Sequence, residues 1–172
     1  VLICNTLEEA RAGVREIMLD KHFGSAGNRM VIEEYMTGRE VSVLAFVDGK
    51  TIRPMTSAQD HKRACDGDQG LNTGGMGTFS PSPFYTPEVD EFCRKHIYQA
   101  TVDAMAAEGR EFKGVIFFGL MLTAQGPRVL EYNARFGDPE TQVVLPRMEN
   151  DIVEVFEACI DGTLDKVELT FA

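Results

Sequence analysis

Three features are scarce in this 172-residue sequence, and each argues against a class of protein. No apolar run approaches the length of a membrane-spanning helix. The four cysteines are scattered without a C-x-x-C pair, which favours structural thiols in a reducing cytoplasm over disulfides or a zinc site. Basic residues number 17 against 27 acidic ones, and the net charge of −10 argues against binding to nucleic acid or to an anionic membrane.

Signatures of several common catalytic sites are also missing. The glycine-rich segment 66–80 has no Gly-Lys-Ser/Thr of a P-loop and lacks the G-x-G-x-x-G spacing of a Rossmann turn. Neither Ser80 nor Ser82 lies in a G-x-S-x-G motif, so covalent serine chemistry is not expected. Residues 136–140 resemble fragments of protein-kinase signatures, but no V-A-I-K lysine or H-R-D loop accompanies them.

The overall composition, 44% hydrophobic and 26% charged, is typical of a globular protein, and the length suits one domain or most of one. Hydrophobic periodicity predicts three helices. Their expected N-caps are Thr6, Thr86 and Asn150. The first helix covers residues 7–19, and the last ends at Gly162. His96 falls on the apolar stripe of the middle helix, which favours a packed core or boundary histidine over a catalytic one.

Short apolar runs predict strands. The two expected hairpins pair 41–47 with 51–55 and 114–122 with 128–133. Residues 1–4 and 30–35 are also expected to form strands. Segment 56–87 is almost devoid of aliphatic residues, and a loop of this length is usually functional or disordered. The sum is an α+β fold with mostly antiparallel strands and helices laid on the sheet.

The last predicted strand carries two oxygen donors. Its period of two would place Val129, Glu131 and Asn133 on one face, with Leu130 and Tyr132 on the other. Mg²⁺ is bound by one or two carboxylates together with substrate phosphates, so this face suits half of a metal–nucleotide site. The pattern alone equally describes a strand whose polar face meets water.

Three further segments suit an anionic or nucleotide ligand, and each has a structural alternative. The cations of 59–63 suit a phosphate or carboxylate, although a solvated charged turn has the same composition. The glycines of 66–80 allow backbone N–H groups to approach an anion closely, although a flexible surface connection would be equally rich in glycine. The carboxylates of 33–40 suit a ribose, or they simply end a strand.

Four of these segments, taken in order, resemble the phosphoribosylamine–glycine ligase (glycinamide ribonucleotide synthetase) family of the ATP-grasp superfamily. They are I-E-E-Y at 32–35, Q-D-H-K-R at 59–63, N-T-G-G-M-G at 72–77 and E-Y-N-A-R-F-G-D-P-E-T-Q at 131–142. The resemblance implies an ATP-grasp fold with a largely antiparallel sheet. It also implies ATP and Mg²⁺ (or Mn²⁺) as cofactors, with glycine and 5-phosphoribosylamine as the other substrates in purine biosynthesis.

The resemblance also assigns roles to residues. Metal ligands would be Glu131 and Asn133. ATP would contact Glu33, Glu34, Tyr35 and Met36 at the adenine and Glu40 at the ribose. The substrate side would comprise Asp60, Lys62, Asn72, Thr73, Gly74, Gly75, Arg135 and Asp138. Arg135 and Lys62 are the expected catalytic residues, since cations neutralise a transferring phosphoryl group.

Departures from the family pattern shape two further expectations. Strand 114–122 contains no acid, although many ATP-grasp enzymes place a metal ligand there. The sequence begins without methionine and lacks the family's phosphate-contacting lysine, glycine-rich flap, N-terminal domain and C-terminal domain. We therefore expect a piece truncated at both ends, with 1–35 from the small ATP-grasp subdomain and 36–172 from the large one, that is inactive alone. The alternatives are another ATP-grasp ligase or a non-catalytic nucleotide-binding module.

Overall fold

A computed structural model describes residues 1–67 and 69–172, with the backbone alone at Leu71 and Asn72. These residues divide into two units, Val1–Met36 and Thr37–Ala172. Their assignment to the small and large ATP-grasp subdomains remains a prediction. Every helix in the described ranges is too short or too polar to cross a lipid bilayer.

The first unit is organised around helix α1 (Leu7–Val14), which continues as a π-helical turn over Arg15–Leu19. The helix begins where the sequence predicts, because the Thr6 hydroxyl accepts the N–H of Glu9 at 3.1 Å. Gly13 is its buried residue, whereas the exposed Leu7 shows that the predicted apolar stripe is covered only in part. The predicted helix is therefore confirmed, and its predicted burial is only partly right.

The strands predicted at residues 1–4 and 30–35 are wrong. Neither stretch forms a ladder, and the described part of Val1–Met36 contains a 3₁₀ turn at Gly24–Asn28 but no strand. A strand needs a partner for its backbone hydrogen bonds. Apolar, β-branched residues alone therefore do not make these segments into strands.

The second unit contains most of the regular structure. Its elements in chain order are β1 (Arg39–Asp48), β2 (Ile52–Pro54), β3 (Gln59–Asp60), β4 (Arg63–Cys65), β5 (Gln69–Asn72), β6 (Thr78–Phe79), α2 (Pro87–Cys93), α3 (Gln99–Ala107), β7 (Lys113–Thr123), β8 (Gly126–Asn133), α4 (Thr141–Val144) and α5 (Ile152–Asp161). A π-helical turn, Arg94–Tyr98, joins α2 to α3. Short 3₁₀ turns follow α4 and α5.

A four-stranded antiparallel sheet in the order β2-β1-β7-β8 forms the framework. Both predicted hairpins are present as its outer pairs, β1 with β2 and β7 with β8. The long segment 56–87 is not structureless, because it contains the small ladders β3–β6 and β4–β5. The predicted α+β architecture is confirmed.

Helices cover both faces of this sheet. Val43 and Val47 of β1 belong to one core cluster together with helical Ile97 and Tyr98, whereas Leu44 belongs to a second cluster on the opposite face. Burial on both sides explains why β1 and β7 are nearly continuous apolar runs rather than alternating ones. The second cluster includes Val155, Ala158 and Cys159 of α5.

The prediction for His96 is wrong, because its side chain is exposed and lies beside the Phe92 ring, 4.7 Å between centroids. The buried positions of this helical segment are Cys93, Ile97, Tyr98 and Val102. A π-helical turn holds more residues than an α-helical one, so it displaces the apolar stripe that a period of 3.6 predicts.

The N-cap of α5 is Asp151 rather than the predicted Asn150. The Asp151 carboxylate accepts the N–H of Val153 at 2.8 Å. Asn150 instead holds the C-terminal segment, since its side chain donates to the Glu168 carbonyl and accepts the N–H of Thr170. The helix ends at Gly162, as predicted, with a left-handed φ of 71°.

Asp48 connects the β1–β2 turn to the segment that follows α5. One oxygen of its buried carboxylate accepts the N–H groups of Lys50 and Thr51, and the other accepts the N–H of Leu164 at 3.0 Å. Burial by itself would raise the pKa of Asp48, but these three N–H groups and the charge of Lys113 hold it below its ordinary value.

We predict that Asp48→Ala lowers the free energy of unfolding by about 2 to 4 kcal/mol, because it leaves three N–H donors without their charged acceptor. Thermal and urea unfolding of the chain measure this. Since the pKa is depressed in the folded state, the carboxylate stabilises the fold above pH 3.8, and this contribution is lost as the pH falls through the lower folded pKa.

Asp161→Ala, at an exposed position, is the control and should change stability by about 0.5 kcal/mol or less. Equal effects of the two substitutions would contradict the role given to Asp48.

Candidate active site

The end of β8 presents Glu131 and Asn133 on one face of the sheet. Glu131 pairs with Gly119, and Asn133 pairs with Phe117, whose side chain belongs to the α5 side of the core. The predicted common face of the two donors is therefore confirmed. Val129 is an exception: it pairs with Leu120 and packs into the cluster on the opposite face.

A β-bulge causes this exception. The register of β8 shifts between the Gly119–Glu131 and Leu120–Val129 pairs, so Leu130 is an extra residue on β8. One inserted residue exchanges the two faces of everything that follows it. A strict period of two cannot anticipate such an insertion, and the predicted placement of Val129 is accordingly wrong.

Gly119 provides the space that the Glu131 side chain occupies. A Cβ atom at position 119 would lie 2.9 Å from Glu131 Cγ, closer than two carbon atoms tolerate. Ser42, Gly119 and Glu131 form one row across β1, β7 and β8. Strand 114–122, which contains no acid, thus places a residue without a side chain opposite Glu131.

Lys62 lies among carboxylates on this side of the molecule. Its ammonium group donates to Glu40 Oε2 at 2.8 Å, and both side chains are partly exposed. Burial alone would lower the pKa of Lys62. The hydrogen bond to Glu40 and the negative charges of Glu40, Glu131 and Asp60 raise it above its ordinary value.

The two motifs 59–63 and 72–77 form one structure. The Lys62 carbonyl accepts both the N–H of Thr73, at 2.7 Å, and the Thr73 hydroxyl, at 2.9 Å. The N–H of Met76 donates to the His61 carbonyl, and the N–H of His61 donates to the Gly77 carbonyl. The position of the glycine loop is therefore fixed by the backbone that carries Lys62. The side chain of Asn72 lies outside the described residues.

Gly75 is the point where this loop meets the loop after β8. Its φ is +130°, and a Cβ there would lie 2.6 Å from Pro139 Cδ and 3.0 Å from Asp60 Oδ1. Gly74 and Gly77 have open space at the same position. Only Gly75 of the three therefore needs to be glycine for steric reasons.

Asp60 has one carboxylate oxygen, Oδ1, that is buried without a hydrogen-bond partner among the described residues. Desolvation and then the charge of Glu140 raise the pKa of Asp60, against the opposing effect of Lys62. Glu140 is itself buried, with its Oε1 accepting the Ser42 hydroxyl at 2.9 Å.

Sequence reasoning missed three contributors: Ser42, Gly119 and Glu140. Ser42 could have been found from the sequence, because it is the one polar residue in the apolar run 41–47. Glu140 is part of the 131–142 motif but was given no role, and Gly119 gave no signal, because the importance of both depends on pairing across the sheet and on the path of a loop.

The remaining predicted residues are placed as follows. Arg135 lies beside Asn133, with Nη2 3.5 Å from Oδ1, and also donates to the Phe136 carbonyl. Asp138 accepts a hydrogen bond from Gln142 at 2.6 Å. The predicted adenine-contacting residues lie in the Val1–Met36 unit, outside helices and strands: Glu33, Glu34, Tyr35 and Met36. Their role stays a prediction.

The donor set fits a magnesium ion held together with a phosphate ligand. Glu131 is exposed and Asn133 is half-buried, so both oxygens are accessible. The described residues contain no group of three or more His, Cys, Asp or Glu side chains able to enclose a metal. Mg²⁺ commonly takes one or two protein ligands and completes its shell with phosphate oxygens and water.

An antiparallel sheet with helices on both faces carries the Glu-x-Asn pair, and the backbone of Lys62 holds the glycine loop. This combination defines an ATP-grasp domain. The chain belongs to the phosphoribosylglycinamide synthetase ATP-grasp (A) domain family, whose model matches residues 1–141.

Relatives and a solved structure agree with this assignment. The chain is 48% identical over 167 residues to the phosphoribosylamine–glycine ligase of Pasteurella multocida, a match that covers 96% of this chain and 39% of the ligase. It is 51% identical over 172 residues to the bifunctional purine biosynthetic protein ADE1 of Schizosaccharomyces pombe, covering 100% of this chain and 22% of that protein. The crystal structure of the Thermotoga maritima phosphoribosylamine–glycine ligase superimposes with a TM-score of 0.80 at 30% identity, covering 94% of this chain and 41% of the other. The chain thus spans well under half the length of these relatives.

We predict that Gly75→Ala detaches the glycine loop from the loop after β8, because its Cβ would overlap Pro139 and its φ is unfavourable for alanine. The N–H groups of Thr73 and Met76 should then exchange with deuterium roughly tenfold faster or more.

Gly74→Ala is the matched control, since its Cβ would enter open space. Unchanged exchange in Gly75→Ala, or equal acceleration in both variants, would contradict the steric role of Gly75.

Proposed function

We propose that this chain supplies the metal- and nucleotide-binding core of a phosphoribosylamine–glycine ligase. The reaction joins glycine to 5-phosphoribosylamine and converts ATP to ADP and phosphate, giving glycinamide ribonucleotide for purine biosynthesis. The observation that carries the proposal is the shared face of Glu131 and Asn133, with Lys62 hydrogen-bonded to Glu40 on that same face of the sheet. Family membership supports the choice of substrates.

In this proposal Glu131 and Asn133 hold Mg²⁺ (or Mn²⁺), which neutralises the phosphate charge when it is bound. Lys62 and Arg135 supply further positive charge around the transferring phosphoryl group. Catalysis of such a transfer consists mainly of positioning and charge neutralisation. Arg135 suits this role, because its guanidinium lies next to the Asn133 oxygen and is exposed.

The chemistry proceeds in two steps. A glycine carboxylate oxygen attacks the γ-phosphorus of ATP and ADP leaves, giving glycyl phosphate. The amine of 5-phosphoribosylamine then attacks the activated carbonyl, and phosphate leaves with the C–O bonding electrons while the amine loses a proton. Asp60, Thr73, Gly74, Gly75 and Asp138 would line the substrate side, and Glu33–Met36 with Glu40 would contact the adenosine.

We predict that Glu131→Ala, introduced in a full-length enzyme carrying this segment, lowers Mg²⁺-dependent ADP formation with glycine and phosphoribosylamine at least ~100-fold. The reason is the loss of the one carboxylate among the proposed metal ligands. Glu154→Ala, at an exposed position on α5, is the charge-matched control and should retain normal turnover. Near-normal turnover in Glu131→Ala would disprove the metal role.

We further predict that Gly119→Ala weakens Mn²⁺ binding about tenfold in the presence of ATP, because the added methyl group displaces Glu131. Electron paramagnetic resonance of free Mn²⁺ gives the affinity, and circular dichroism establishes that the sheet is intact. A folded Gly119→Ala protein with the parental Mn²⁺ affinity would show that the position of Glu131 does not depend on Gly119.

A further inference from the structure

The surroundings of Lys62 raise the question of what its positive charge does before a ligand arrives. Its ammonium group is hydrogen-bonded to Glu40 at 2.8 Å. Glu40 lies two residues from Ser42 on β1, so it projects from the same face of the sheet as the row of Ser42, Gly119 and Glu131, the proposed metal ligand. A divalent cation bound at Glu131 would therefore meet a positive charge on the same face of the sheet. Like charges in one site repel each other.

The backbone of Lys62 is held in place, whereas its side chain can change its conformation. Its carbonyl is held by two hydrogen bonds from Thr73, so the backbone position is fixed. Its side chain is 37% exposed and that of Glu40 is 45% exposed, so the contact between them can open without movement of the backbone. Lysine carries a compact charge on a flexible stem, which suits such a change of partner.

We propose that Lys62 makes this site select a metal–polyphosphate complex over the free metal ion. Without nucleotide, the ammonium group pairs with Glu40 on the face that carries Glu131 and disfavours a second cation there. With nucleotide, the phosphates supply the negative charge that both the metal and Lys62 need. The inference rests on the proposed metal role of Glu131 and deepens it, because it assigns selectivity to a residue outside the metal's own ligands.

The expected effect is moderate, because the Lys62–Glu40 pair is partly exposed and water screens it. Removal of the charge should strengthen binding of free Mn²⁺ by about three- to tenfold. The same change should weaken binding of Mn²⁺ with a non-hydrolysable ATP analogue by a similar factor. Opposite signs for the two ligands distinguish selectivity from simple damage to the site.

The experiment titrates Mn²⁺, alone and with the non-hydrolysable ATP analogue, into a full-length enzyme carrying this segment. Electron paramagnetic resonance measures free Mn²⁺. Lys62→Met removes the charge, and Lys62→Arg keeps it and should bind free Mn²⁺ like the parent. Lys95→Met removes the same charge from the exposed surface of the helical segment that packs on the opposite face of the sheet, and should change neither affinity.

Glu40→Gln is a second, independent variant. With its partner neutralised, Lys62 should turn toward Glu131, and free Mn²⁺ should bind about threefold or more weakly. This measurement keeps the proposal testable if Lys62→Met does not fold.

Unchanged or weaker free-Mn²⁺ binding in a folded Lys62→Met protein would overturn the inference, and so would an equal gain in Lys95→Met. Stronger or unchanged free-Mn²⁺ binding in Glu40→Gln would overturn it as well. Failure of the proposed function has a different signature, in which the parent binds no Mn²⁺ in either form or Glu131→Ala binds it as the parent does.

Discussion

The antiparallel pairing of β1 with β7 is the constraint on which the second unit depends. Its register runs unbroken from the Arg39–Leu122 pair to the Asp48–Lys113 pair. Helices bury both faces of these two strands, so a slip by one residue would move every apolar side chain to the wrong cluster. The same register places Ser42 opposite Gly119, and these two residues form the sheet surface next to Glu131. Core packing and site geometry thus share one set of hydrogen bonds.

The rest of the candidate site consists of loops that contact one another and the sheet. Thr73 binds the Lys62 carbonyl, and Gly75 fits between Asp60 and Pro139. The buried Glu140 then ties the loop after β8 to Ser42 of the sheet. Each loop is short of apolar residues, so its position depends on backbone hydrogen bonds and close contact rather than on a core of its own. Backbone contacts of this kind fix a ligand-binding loop more closely than exposed side-chain pairs do.

The sequence predicts those parts of the molecule that local chemistry decides. Thr6 and Thr86 cap helices because their side chains bond to N–H groups three residues away, and the long apolar runs become central strands because they can be buried on both faces. Prediction fails where distant contacts decide. Residues 30–35 lack a strand partner, the π-helical turn exposes His96, and the bulge at Leu130 separates Val129 from Glu131. The common face of Glu131 and Asn133 was predictable because it lies beyond the bulge.

The bulge also separates two roles of the edge strand β8, which are packing against the core and presenting Glu131 and Asn133. Val129, just before Leu130, packs into the cluster that contains Ile97 and Tyr98, and the two donors after Leu130 face the opposite side. Substitutions that adjust the volume of the core can therefore accumulate before the bulge without changing the direction of Glu131 and Asn133. Length is the property that cannot vary there, because deletion of the extra residue would put Val129 and the two donors on one face of the sheet. In this strand the number of residues is under tighter constraint than their identity.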